Sequence, residues 1–142
     1  VSSAASDVYK RQIIGTGSDL SRLKKLAKKH GVSSRVLFRG SLPRSEVIAK
    51  MAGSKVVIMP SFHDAAGWVI SEALSVGTPV IALDLAGPAQ LMKEANMSVI
   101  NHNSHNLERE FAIGLDRVQA ITPKNVWDIE RISNFYSELI KY

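Results

Sequence analysis

The sequence lacks several features that mark particular classes of protein. It has no cysteine among its 142 residues, which excludes disulfides and thiolate metal sites and fits a reducing cytosol. No stretch approaches the ~20 consecutive apolar residues that cross a bilayer. Aromatic residues make up only 6%, as expected for an α/β domain whose core consists of Val, Ile, Leu and Ala. At 45% hydrophobic residues, a chain of this length can still bury the core of one domain.

The formal charge of +5 is moderately basic, and part of it is concentrated in residues 21–30, SRLKKLAKKH. Attraction to anionic lipids or nucleotides is one interpretation. The favoured interpretation is the solvated face of an amphipathic helix whose buried stripe is Leu20, Leu23, Leu26 and Ala27. No aromatic residues interleave with the basic ones, so no nucleic-acid partner is expected.

The most informative stretch is residues 56–87, VVIMPSFHDAAGWVISEALSVGTPVIALDLAG. Apolar runs at 56–59 and 80–83 flank a predicted helix from residue 67 to about residue 76. Short apolar runs on either side of a helix indicate a buried parallel βαβ unit. Ligands usually bind such units at the carboxyl edge of the sheet, where Asp64 and Glu72 are expected with seven residues between them.

The rest of the chain alternates short strands with helices. Further strands are predicted to end at residues 13–14 and to span 36–38 and 98–100. Further helices are predicted at 19–30, 43–52, 88–95, 107–120 and 125–142. Ser18 or Asp19 is expected to cap the first of these helices, and Gly31 to terminate it. This alternation predicts a Rossmann-like, three-layer α/β/α domain with a parallel sheet of five or six strands.

Several features occur in a fixed order: Pro60-Ser61, the acid at 64, Gly67, Glu72-Ala73, residues 77–81 (GTPVI) and Gly87-Pro88. In this order they resemble the donor-binding half of retaining GT-B glycosyltransferases of the family 4 type. That type includes sucrose- and glycogen-synthase-like enzymes and lipopolysaccharide or capsule glycosyltransferases. The resemblance extends in weaker form from about residue 13 to about residue 136, and Asp64 stands where the family usually has its first glutamate.

The resemblance implies a site for a nucleotide-diphosphate sugar, with UDP or GDP as the expected nucleotide. Glu72 would accept hydrogen bonds from the ribose hydroxyls, and Asp64 would contact hydroxyls of the transferred sugar. We predict these two as the catalytic residues. The alternative is that Glu72 is an exposed helix residue and Asp64 is a loop or capping acid. The predicted donor-binding residues are Gly15, Gly17, Gly40, Ala65, Ala66, Gly67, Trp68 and Glu72.

Two groups of these residues are predicted to bind the donor for different physical reasons. Residues 65–68 lead into a helix N-terminus, whose free N–H groups and dipole suit a diphosphate. The Gly15-Thr16-Gly17 turn lets the backbone approach a nucleotide, although an ordinary strand-to-helix turn is the alternative. Leu20 occupies the position of the third glycine of the dinucleotide fingerprint. No Asp-x-Asp motif is present, so neither a metal nor a further cofactor is expected.

Two expectations concern the extent of the chain. Residues 1–12 are polar and aperiodic, and we predict that they form a non-native or disordered leader. The alternative is that part of this segment extends the first strand. Residues 13–142 are predicted to form the donor domain, without the family's N-terminal acceptor domain and without the Arg and Lys that grip the diphosphate. The isolated chain is therefore expected to bind nucleotide weakly or not at all and to transfer no sugar. A cytoplasmic location is expected, with peripheral association of the full-length enzyme at the inner membrane face as an option.

Three other interpretations remain open. Another GT-B-like enzyme, such as a nucleotide-sugar epimerase or a phosphorylase, would need catalytic residues that we do not find in this sequence. A Rossmann-like dehydrogenase is opposed by the incomplete glycine fingerprint. A non-catalytic binding module would keep the fold, and Asp64 in place of glutamate favours it. The sequence does not identify the base, the sugar, the acceptor or the linkage.

Overall fold

The computed structural model describes residues 10–62, 68–85 and 97–119. The chain divides into two compact units, Val1–Val47 and Ile48–Tyr142. The strands are β1 (Arg11–Ile14), β2 (Val36–Gly40), β3 (Val57–Met59), β4 (Val80–Leu83) and β5 (Ser98–Ile100). The helices are α1 (Leu20–Lys29), α2 (Arg44–Ala52), α3 (Trp68–Ser75) and α4 (Leu107–Gln119), with a short 3₁₀ helix at Ser33–Arg35.

In the first unit, β1 and β2 form a parallel pair that runs from Arg11 opposite Val36 to Ile14 opposite Gly40. The chain crosses between them through α1 and the 3₁₀ helix, as a parallel connection requires. Beyond β1, the Gly15 N–H donates to the Gly40 carbonyl at 2.8 Å, which holds the ends of the two strands together.

The C-terminal end of α1 agrees with the sequence prediction, and its N-terminal end does not. The Asp19 side chain makes no capping hydrogen bond and instead pairs with Arg22 at 2.7 Å, so the predicted side-chain cap is wrong. A carboxylate beside a guanidinium makes a charge-assisted bond that competes with capping. At the other end Gly31 adopts φ 65° and donates its N–H to the Lys28 carbonyl at 3.0 Å, which confirms its terminating role.

In the second unit, β3, β4 and β5 form a parallel sheet in that order, with β4 in the centre and buried along its whole length. A strand buried on both faces is expected to be a continuous apolar run, as residues 80–83 are. Helix α4 covers the sheet with Leu107, Phe111 and Leu115, which pack against the buried core cluster. The members of that cluster are Ile81, Leu83, Ile100 and Val118.

The turn between α3 and β4 is fixed by backbone and side-chain hydrogen bonds. Gly77 adopts φ 76° and its N–H donates to the Leu74 carbonyl, while the Thr78 N–H donates to the Ala73 carbonyl. The Thr78 side chain is 2% exposed, and its hydroxyl donates to the Met51 carbonyl at 2.7 Å. The turn is thereby tied to the end of α2.

The predicted fold class is confirmed, because the three described strand pairs are parallel, and α1 and α3 lie between the strands of two of them. The described strands form a two-stranded and a three-stranded sheet, whereas the prediction had a single sheet. Leu26 is 43% exposed, so its assignment to the buried stripe of α1 is wrong. The helices predicted at 88–95 and 125–142 lie outside the described residues. Within the described part, no helix is long and apolar enough to cross a membrane.

Candidate functional site

The carboxyl ends of β3, β4 and β5 lie at one edge of the sheet of the second unit, because the three strands are parallel. Pro60, Ser61 and Phe62 follow β3 at this edge, and Asp84 follows β4. Helix α3 returns from the same edge, beginning at Trp68. This is the part of a parallel α/β sheet where ligands bind. The predicted site residues Asp64, Ala65, Ala66 and Gly67 lie outside the described residues.

Glu72 is half-buried on α3, between side chains that face the core. Its neighbours Ile70 and Ala73 have no exposed area. The Glu72 backbone carbonyl accepts a hydrogen bond from the Ser75 hydroxyl at 2.7 Å. A partly buried carboxylate is stabilised by hydrogen-bond donors, and hydroxyl groups of a sugar are such donors.

Trp68 precedes Glu72 by four residues, so the two side chains lie on the same side of α3. Trp68 is 63% exposed, and Phe62, which follows β3, is 53% exposed. The indole therefore does not pack into the core of this unit. The structure thus brings Trp68 and Glu72 together on one helix, and their predicted roles remain predictions.

The three predicted glycines of the first unit differ in whether their backbone conformation requires glycine. Gly15 has φ 127° and Gly40 has φ 67°, values that side-chain-bearing residues rarely adopt. Within the described part of the chain, a Cβ atom built at Gly15, Gly17 or Gly40 would meet no atom within 4 Å apart from those of its chain neighbours. Gly17 has neither a positive φ in this range nor a crowded Cβ position, so its backbone does not require glycine. Gly15 and Gly40 lie side by side at the ends of β1 and β2, where the Gly15 N–H donates a hydrogen bond to the Gly40 carbonyl.

The sequence prediction missed a second polar group at the sheet edge, the pair Asp84 and His102. Asp84 Oδ1 accepts the His102 backbone N–H at 2.7 Å, and His102 Nδ1 lies 2.7 Å from the same oxygen. The Asp84 N–H donates to the Ile100 carbonyl at 2.8 Å. The sequence did contain a signal for this pair, because the acid and the histidine each follow the end of a predicted strand.

The environment of Asp84 favours its ionised form. The hydrogen bond from the His102 backbone N–H, together with the His102 side chain, lowers the pKa of Asp84 below its usual value. Both side chains are about one third exposed, at 33% for Asp84 and 35% for His102. The pair is thus a solvent-accessible carboxylate and imidazole at the edge where the strands end.

No group of three metal-ligating side chains occurs within residues 10–62, 68–85 and 97–119. The expectation that the site uses no metal remains a prediction.

Residues 3–115 match the protein family described as "Glycosyl transferases group 1". The match begins inside the segment predicted as a leader and includes β1, which starts at Arg11. The prediction that residues 1–12 lie outside the native fold stays a prediction.

Two curated relatives illustrate the similarity. The chain is 33% identical over 91 residues to a D-inositol 3-phosphate glycosyltransferase of Streptomyces bingchenggensis, covering 63% of the chain and 20% of the relative. It is 35% identical over 75 residues to the lipopolysaccharide glucosyltransferase WaaG of Escherichia coli, covering 53% of the chain and 20% of the relative. The chain therefore spans about a fifth of the length of these relatives.

Solved structures agree with these matches. The crystal structure of WaaG, a glycosyltransferase involved in lipopolysaccharide biosynthesis, superposes with a TM-score of 0.65 at 27% identity, covering 78% of this chain and 29% of that one. The apo form of the lipopolysaccharide outer core galactosyltransferase WaaB superposes with a TM-score of 0.68 at 19% identity, covering 93% and 40%. The WaaB similarity shows the fold alone.

Proposed function

The chain belongs to the group 1 family of glycosyl transferases, and we propose that it is the donor-binding part of a GT-B enzyme. That enzyme would transfer a sugar from a nucleotide diphosphate to a glycan, a lipid or another acceptor. The observation that carries the proposal is the position of Glu72, which is half-buried on α3, the helix that begins at the carboxyl edge of the sheet, and lies inside the segment that matches the family.

In this proposal Glu72 accepts hydrogen bonds from the ribose hydroxyls of the donor. Its carboxylate is anchored on a helix whose inner side, Ile70, Ala73 and Leu74, is buried in the core. A rigidly held anionic acceptor makes stronger hydrogen bonds to hydroxyls than a neutral one. Asp64 is proposed to contact hydroxyls of the transferred sugar, one methylene shorter in reach than the glutamate of the resembled family.

The diphosphate is proposed to bind at the N-terminal end of α3, next to Ala65, Ala66, Gly67 and Trp68. The first N–H groups of a helix have no partner within it, and the helix dipole adds partial positive charge there. Stabilisation of the departing nucleotide diphosphate lowers the barrier to sugar transfer. Retention of the anomeric configuration is part of the proposal and follows from the resemblance to family 4 enzymes.

In the first unit, the Gly15-Thr16-Gly17 turn and Gly40 are proposed to contact the nucleotide through their backbones. No described residue other than the chain neighbours has an atom within 4 Å of a Cβ built at Gly15, Gly17 or Gly40, which supports this, since the backbone there is open to a ligand. A UDP- or GDP-linked sugar is the proposed donor.

The whole enzyme is proposed to contain an acceptor-binding domain in addition to this chain. The chain covers about a fifth of its glycosyltransferase relatives, which leaves room for such a domain in them. We expect no sugar transfer by the isolated chain and weak or no nucleotide binding. A cytoplasmic location at the inner face of a membrane is proposed; the lipopolysaccharide glucosyltransferase among the relatives supports a membrane-linked acceptor.

The test is a titration with UDP-, GDP- and ADP-linked sugars, read by ligand-observed NMR on the whole enzyme proposed above. Glu72→Gln removes the charge with little change in shape, and Glu108→Gln on the exposed side of α4 is the matched control. Binding that is lost in E72Q and kept in E108Q supports the donor site. Equal binding by both variants contradicts the role of Glu72 and favours a module that binds through other residues.

A further inference from the structure

The pair of Asp84 and His102 lies at the carboxyl edge of the sheet of the second unit and has no part in the donor contacts proposed so far. Asp84 directly follows β4, and His102 is the second residue after β5. A single oxygen, Asp84 Oδ1, accepts the His102 backbone N–H at 2.7 Å and lies 2.7 Å from His102 Nδ1. The backbone and the ring of the histidine are therefore both fixed to one carboxylate oxygen.

The carboxylate determines which ring nitrogen of His102 carries the proton. The hydrogen bonds from His102 lower the pKa of Asp84, and an ionised carboxylate only accepts hydrogen bonds, so Nδ1 donates to it. In the neutral ring the lone pair then lies on Nε2. Among the described residues, Nε2 has no hydrogen-bond partner, and Asp84 Oδ2 accepts no hydrogen bond from another residue. The pair thus has two free acceptor atoms, and its side chains are about one third exposed.

The loop that follows β5 is held by hydrogen bonds between its side chains and its backbone. Asn101 Oδ1 accepts the Asn103 N–H at 2.8 Å, and the Asn101 carbonyl accepts the Ser104 N–H at 3.1 Å. At the end of the loop, Asn106 caps α4 by accepting the Arg109 N–H at 3.0 Å. A histidine that such a loop fixes before the ligand arrives loses little conformational entropy on binding.

The pair is close enough to α3 to contact the same ligand. The strands β3, β4 and β5 are neighbours in that order, so the ends of β3 and β5 are about 10 Å apart. Helix α3, which carries Glu72, begins at this edge and contacts β3 and β4. A nucleotide-diphosphate sugar is longer than this separation, so one donor molecule can contact Glu72 and His102 together.

We propose that His102 Nε2 accepts a hydrogen bond from a hydroxyl group of the transferred sugar, and that Asp84 orients the ring for this contact. The proposal rests on the donor site described under the proposed function and adds to it a residue that selects the sugar. A hydroxyl supplies the donor that the pair lacks, and its orientation on the sugar ring determines whether it reaches Nε2. His102 is therefore a specificity residue, and Asp84 is a positioning residue.

The diphosphate fits this pair less well than the sugar does. Phosphate oxygens are acceptors, as are Nε2 in this tautomer and Asp84 Oδ2, so no hydrogen bond can form between them. The negative charge of Asp84 also repels a phosphate group. A sugar hydroxyl carries no charge and donates a hydrogen bond.

The test compares the binding of nucleotide sugars with the binding of the nucleotide diphosphates alone, by the whole enzyme proposed above. His102→Asn keeps a donor group near the position of Nδ1 and has no atom near that of Nε2. His105→Asn, the same substitution at an exposed position of the same loop, is the matched control. UDP, GDP and ADP are each titrated beside their sugar-linked forms, and dissociation constants are measured by ligand-observed NMR.

We expect His102→Asn to weaken binding of the nucleotide sugar about fivefold, because one hydrogen bond is lost. Binding of the nucleotide diphosphate alone should be unchanged, which also shows that the variant is folded. Glu72→Gln should weaken both ligands, because its proposed partner is the ribose. Asp84→Asn should cause part of the sugar-specific loss, since an amide can donate to Nδ1 and thereby move the ring proton to Nε2.

A second measurement identifies the hydroxyl group and separates contact from a structural role. Analogues of the bound donor are used that each lack one hydroxyl of the sugar. One analogue should bind the parent about fivefold more weakly than the intact donor does, and H102N should bind both equally. A residue that only supports the fold would not produce this coupling to a single hydroxyl.

Three results would overturn the proposal. These are equal weakening of the nucleotide and the nucleotide sugar in H102N, a loss in H105N as large as that in H102N, and the absence of any analogue that couples to His102. Loss of both ligands in E72Q with no change in H102N would refute this proposal and leave the donor site intact. If the parent enzyme binds neither nucleotides nor nucleotide sugars, the donor site is refuted and this proposal with it.

Discussion

Asp84 joins the ends of two neighbouring strands through one carboxylate oxygen, which accepts the His102 N–H at 2.7 Å and lies 2.7 Å from His102 Nδ1. Asp84 is the first residue after β4, and His102 is the second after β5. The Asp84 N–H also donates to the Ile100 carbonyl, so the ladder of hydrogen bonds between the strands continues into the loops. The edge at which we propose donor binding is thereby held by side chains as well as by the sheet.

The first prediction concerns the pH dependence of this pair. The pKa of Asp84 is lowered in the folded chain, so its hydrogen bonds stabilise the fold above the unfolded pKa of about 3.9. This contribution is lost as the pH falls through the lower, folded value. Asp84→Asn should decrease the free energy of unfolding by about 1 kcal/mol at neutral pH, a figure reduced for partial exposure.

Urea unfolding of the parent and D84N, from neutral pH down to a pH well below 4, measures the difference between their free energies of unfolding. It should shrink as the pH falls below about 4, because Asp84 then becomes neutral in the parent as well. Asp116→Asn, an exposed position on α4, serves as the control. A D84N difference that stays constant across this range would contradict an ionic origin.

Local sequence patterns predicted the elements well and the long-range pairs poorly. The apolar run at 80–83 identified β4, because a strand buried on both faces leaves no polar positions. Asp84 and His102 are 18 residues apart, and their contact depends on the register between β4 and β5, which no local pattern contains. Leu26 was placed wrongly because helical spacing shows which side chains share a face and not whether that face is covered.

The second prediction concerns the contact between α4 and the sheet at Gly114. A Cβ atom at this position would lie 3.0 Å from Ser98 Oγ and 3.2 Å from Ile81 Cγ2. Gly114→Ala should lower the free energy of unfolding by about 1 kcal/mol, because overpacking of about 2 kcal/mol exceeds the gain in helix propensity. Urea unfolding measures the loss.

The double variant with Ser98→Ala tests the cause of that loss. Removal of the Ser98 hydroxyl oxygen eliminates the nearest contact of the new methyl group, so the two substitutions together should be less destabilising than the sum of their separate effects. Strict additivity would show that the crowding at Gly114 has another source.

The third prediction concerns Thr78, whose buried hydroxyl donates to the Met51 carbonyl at 2.7 Å. Thr78→Val keeps the shape and removes the hydrogen bond. The free energy of unfolding should fall by about 1 kcal/mol, since the Met51 carbonyl still accepts the Ser54 N–H at 2.9 Å. Thr78→Ser retains the hydroxyl and should keep the hydrogen bond while losing a buried methyl group. Thermal unfolding of both variants decides whether the bond or the methyl group is more important.

The fourth prediction separates backbone strain from ligand approach in the turn after β1. Gly15 has φ 127°, so Gly15→Ala should lower the free energy of unfolding by about 1–3 kcal/mol. Gly17 has no such φ and open space around its Cβ position, so Gly17→Ala should leave stability unchanged. Urea unfolding measures both.

The same two variants then test whether this turn contacts the donor. If the backbone at Gly17 approaches the nucleotide as proposed, the added methyl group of G17A weakens nucleotide-sugar binding by the whole enzyme while the stability is unchanged. This combination has no explanation in the fold itself, because no described residue beyond the two chain neighbours of Gly17 has an atom within 4 Å of that methyl group. Normal binding by G17A would remove Gly17 from the donor site. A stability loss equal to that of G15A would instead show that the turn requires glycine at both positions.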